Sequence, residues 1–137
     1  MPRVDVFPDV DQVLHNKDDF IGPYLSKCAC SVDFAEALTY CGQALGNPGG
    51  DNWANLYRAY EVASDHFGGD HALVGTVNAC SKSELDRFKR TVNHQEAIGR
   101  FSRHARSRCI PPPNPMDFIT AVKFVLAVMA AWFAWKE

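Results

Sequence analysis

Phe118 to Trp135 read FITAVKFVLAVMAAWFAW, 18 residues with a single charge at Lys123. How this stretch is read decides the fold. A membrane-spanning helix wants about 20 consecutive apolar residues. The longest uncharged run here, Phe124 to Trp135, is 12 residues. A span is therefore the weaker reading, and a buried helix is expected. A helix apolar on nearly every side packs centrally or shares an interface with a second copy. Its start is expected within a few residues of Pro115, with Asn114 as a candidate cap. Ile119, Val122, Leu126, Met129 and Phe133 are expected to be core.

Working back toward the N-terminus, the proline run Pro111–Pro113 and Pro115 forces an extended turn. Before it, Leu85, Phe88 and Val92 recur at helical spacing. Ser81 followed by Glu84 has the form of a capping box at the head of that helix. Ile98, Phe101 and Ala105 suggest a further short helix or a continuation. Asp70 opens a short helix through Ala72, Leu73 and Val77. Trp53, Leu56, Tyr57, Tyr60 and Val62–Ala63 mark the apolar face of a longer one. That helix has Asp51 or Asn52 as cap and stops at Gly68-Gly69, where glycine supplies a left-handed end. Phe34, Leu38 and Cys41 mark another, with Ser31 or Asp33 as cap. Gly46 to Gly50 is a clear break between these two. Residues 1–30 show no comparable period and are expected to form a short irregular or extended arm. The chain is thus expected to be all-α: one domain over residues 1–137, with about five helices bundled over 31–137.

A chain of 137 residues with 47% hydrophobic content can build a core without staples. The five cysteines, Cys28, Cys30, Cys41, Cys80 and Cys109, form an odd set with no C-x-x-C. The first residues lack the charged-then-apolar pattern of an export signal. The expectation is a cytoplasmic protein with reduced thiols. Neither Cys28-x-Cys30 with Cys41 nor His66 with His71 has zinc-site spacing, so no metal is expected. No Walker lysine follows the glycine-rich turn and no serine nucleophile elbow is present, so no cofactor is expected either.

The net charge of −2 hides a strong polarity. Residues 1–81 hold 11 acids against four bases. Residues 82–108 hold eight of the 14 bases and three acids, a net of +5. Such a segment attracts phosphates or forms a solvated helix face. If it binds nucleic acid, Lys82, Arg87, Lys89, Arg90, Arg106 and Arg108 are the contacts.

Several phrases occur in order: Trp53-x-x-Leu56-Tyr57-Arg58-x-Tyr60-Glu61-Val62, Ser81-Lys82-Ser83-Glu84-Leu85-x-Arg87-Phe88, Asn93, Arg103-His104 and Pro113-x-Pro115-Met116. Together they resemble a group of small uncharacterised bacterial proteins over about residues 50–137, and this likeness implies no activity. More distantly, the chain resembles HEPN proteins. These are all-α modules, often dimeric, found in RNA-cleaving toxins and defence systems. Their mark is an Arg followed at short range by a His. Arg100 and His104 carry that pair here, more closely spaced than in the family.

The resemblance implies RNA binding and metal-independent RNA cleavage. His104 would move a proton at the 2′-hydroxyl. Arg103 or Arg100 would stabilise the charged phosphorane. Arg100 and His104, four residues apart, share a helix face. Tyr57, Glu61 and Asn93 are candidate supports, with Glu61 either orienting His104 or Arg103 or acting as a partly buried acid paired with an Arg. The competing reading is a non-enzymatic interaction module. It would dimerise or dock a partner through the C-terminal helix, Trp132 and Trp135 included, and set its acidic half against a basic partner.

Overall fold

The computed structural model describes residues 24–46, 51–94 and 113–136. These residues are helical with no strand, as an all-α bundle requires. The helices are α1 (Leu25–Cys30), α2 (Val32–Gly46), α3 (Asn52–Phe67), α4 (Asp70–Gly75), α5 (Lys82–Asn93) and α6 (Phe118–Ala134).

Ring contacts give the helix directions. His66, at the end of α3, hydrogen-bonds Asp33 at the start of α2, so these two helices run antiparallel. Phe118, at the start of α6, packs on Trp53 at the start of α3, with ring centroids 5.5 Å apart. At the other end of α6, Trp132 meets Phe34 of α2 at 5.2 Å and Phe67 of α3 at 5.6 Å. So α6 runs parallel to α3 and antiparallel to α2. Small buried residues line the α2–α3 seam: Ala37, Cys41 and Ala44 on one side, Ala59 and Ala63 on the other. Short side chains let these backbones approach closely, which leaves the longer polar groups to stand along the rims.

α5 lies across the other flank of α3. Its Phe88 stacks on Phe124 of α6 at 4.7 Å and on Tyr57 of α3 at 6.2 Å. The capping box at Ser81 is formed: its Oγ accepts from the Glu84 N–H, and its own N–H donates to the Glu84 carboxylate. The end of α3 is also as expected. Gly68 is left-handed at φ +92, and Gly69 N–H reaches back to the Ser64 carbonyl at 2.7 Å. That bond is the outer closure of a Schellman motif.

α6 packs against α2, α3 and α5. It buries Ala121, Val122, Phe124, Val125, Leu126, Val128, Met129 and Trp132. That is more than one helix face, as its near-uniform hydropathy requires. Its outward positions are Ile119, Lys123, Ala127 and Ala134.

Four expectations need correction. Leu25–Cys30 is helical, not part of an irregular arm; six residues are too few to show a helical period in sequence. Asp117, not Asn114, caps α6, its Oδ1 accepting from Thr120 N–H at 2.7 Å. Ile119 is 37% exposed, because it lies on the outward stripe of α6 with Lys123 and Ala127. Val77 lies beyond the end of α4.

Candidate functional site

Along the α2–α3 seam the rim side chains enclose an open groove of about 400 Å³. Asp33, Glu36 and Tyr40 come from α2, and Arg58, Glu61, Val62 and Asp65 from α3. Four carboxylates therefore face one guanidinium. The local reason is helical spacing: Asp33 and Glu36 are three apart, Glu61 and Asp65 four apart, so each pair shares a helix face. Arg58 donates from Nη1 to Asn55 Oδ1 at 2.9 Å.

Glu61 and Asp65 also border a second depression, of about 490 Å³, lined further by Tyr57, Tyr60, Ser64, Gly68, Gly69 and Asp70. Glu61 and Asp65 line both depressions, which together are termed the trench. A Cβ at Gly68 or Gly69 would meet nothing within 4 Å, so this end opens to solvent.

At each end of the trench an acid is tied to the scaffold. Asp33 Oδ2 lies 2.8 Å from His66 Nδ1. The His66 ring in turn lies 4.7 Å from Trp132. Asp70 is a hub. Tyr60 Oη and Ser64 Oγ donate to its Oδ1, and Lys89 Nζ donates to its Oδ2 at 2.8 Å. Burial works against the Asp70 charge, but the bonds from Lys89, Tyr60 and Ser64 outweigh it and hold the carboxyl below its usual range. Lys89 is held above its usual range: burial opposes its charge, and the Asp70 carboxylate prevails. Burial and then the Asp70 carboxylate push the Tyr60 phenol up, so it stays protonated and donates to Asp70.

The residues expected to carry chemistry are scattered. Tyr57 is buried, packed between Tyr60 and Phe88. Glu61 is exposed on the trench, not partly buried. Asn93 is half-buried at the end of α5, and His94 beyond it is buried. Lys82 and Arg90 are exposed. Arg87 and Lys89 have internal acceptors: Lys89 holds Asp70, and Arg87 donates to the carbonyls of Asn114 and Pro115. Arg100, Arg103, His104, Arg106 and Arg108 lie outside the described residues, as do Cys109 and the helical reading of Ile98 to Ala105. Trp132 is a core residue of its own chain, 1% exposed, while Trp135 is half-buried.

The trench itself was not singled out in sequence beyond the general acidity of residues 1–81. The available signal was the i,i+3 and i,i+4 acid pairs on two neighbouring helices.

Among the described residues no group of three or more His, Cys, Asp or Glu side chains is placed to hold a metal ion. Nor is any helix among them long and apolar enough to cross a membrane. No family model, curated protein or solved structure matches the chain.

Proposed function

We propose that this chain is a non-enzymatic helical interaction module that docks a cationic polypeptide segment in the α2–α3 trench. The observation that carries this reading is the convergence of Asp33, Glu36, Glu61 and Asp65 from two helices on one groove. Arg58 sits among them as the one cation of the described lining, so the groove keeps an excess of negative charge. Tyr40 and Val62 add apolar surface for the aliphatic stem of a Lys or Arg. Charge complementarity of this kind sets specificity and encounter rate more than raw affinity.

The test is fluorescence anisotropy of a labelled oligo-arginine peptide with the full chain, beside an oligo-glutamate control. The Glu36→Lys/Glu61→Lys double variant is expected to weaken binding at least tenfold, about 1.4 kcal/mol. Both positions are exposed, so its melting temperature should change little. Equal binding by wild type and variant would refute the trench as the site.

One observation favours a second reading, that the basic segment 82–108 binds RNA. Arg87 donates to the Asn114 and Pro115 carbonyls, and Thr91 Oγ1 accepts from Met116 N–H at 3.1 Å. These bonds fix the described residues on either side of the basic segment's second half, 87–91 and 114–116, against one another. Within this reading His104 would act as general acid or base, and Arg100 and Arg103 as phosphate ligands, in metal-independent RNA cleavage. A labelled RNA added to the same titration separates the readings. RNA binding that survives Glu36→Lys/Glu61→Lys and is lost in Arg100→Glu/Arg106→Glu would move the function to the basic segment. Loss of RNA cleavage in His104→Ala would make the protein an enzyme.

A further inference from the structure

We draw no further inference here: the strongest candidate, the outward face of α6 formed by Ile119, Lys123, Ala127 and Ala134, is an unpartnered small-residue stripe, and nothing in the structure shows what covers it.

Discussion

Asp70 ties α3 to α5 through three hydrogen bonds. It joins Tyr60 and Ser64 of α3 to Lys89 of α5. Asp70→Ala removes the acceptor of a Tyr60 hydroxyl that is otherwise well buried. The expected cost is about 1–3 kcal/mol, the penalty for a buried donor left without a partner. Because the folded carboxyl is held below its unfolded range, its contribution is present above the unfolded carboxylate range. It is lost as pH falls through the lower folded value. Urea melts from pH 7 to pH 3 should therefore show a steeper acid loss for wild type than for Asp70→Asn; identical slopes would remove Asp70 from this role. The cysteines give a second residue-scale expectation. Burial pushes the Cys41 thiol up to about 12, and burial with Glu84 and Asp70 pushes Cys80 up to about 11. Thiolate is the reactive form. Among the cysteines at 28, 30, 41 and 80, exposed Cys30 should label first with iodoacetamide at neutral pH, and Cys41 only after denaturation. Mass spectrometry of the labelled peptides reads this directly.

At the scale of elements, the two faces of α6 should respond differently to truncation. Met129 is 1% exposed, so Met129→Ala is expected to cost about 2–5 kcal/mol. Ile119 lies on the outward side of the first turn and is 37% exposed, so Ile119→Ala should cost less, about 1–2 kcal/mol, since part of its lost area already faces water. Equal losses in denaturant melts would mean that the outward face is covered in solution. Ser81→Ala should cost about 0.5–2 kcal/mol by opening the capping box of α5. Most of the elements could be read from the chain for plain reasons. Ser81 and Glu84, Gly68 and the Leu85–Phe88–Val92 stripe are local signals, and local backbone needs decide them. Ile119 was not legible, because periodicity reports which residues share a face but not where, at the edge of a broad apolar face, packing stops. Asn114 was the expected cap of α6, but Asp117 is an equally good capping residue by type, and only backbone direction after Pro115 selects it.

At the scale of the whole molecule, charge polarity is what the sequence displays best and explains least. The acids of residues 1–81 could have been spread over the surface. Instead the antiparallel pairing of α2 with α3, closed by alanines at the seam, lines four of them along one groove. That pairing is a tertiary fact with no local signature. Two cations of the basic segment behave in the opposite way: Arg87 and Lys89 look available in sequence, yet both bond to groups of their own chain. If the trench holds a cationic segment by Coulomb attraction at its open rim, salt should screen it, since the Debye length falls from about 10 Å at 0.1 M to about 3 Å at 1 M. Oligo-arginine affinity is expected to drop at least tenfold between 0.05 M and 0.5 M NaCl. Asp65→Asn, which removes one rim charge without adding bulk, should weaken binding at low salt and flatten the salt dependence. Asp33→Asn tests the same charge but also touches His66, so it should lower stability as well as affinity. Salt-insensitive binding would mean that Tyr40 and Val62, rather than the carboxylates, hold the peptide. Salt-sensitive binding untouched by Asp65→Asn would place the peptide elsewhere on the acidic half.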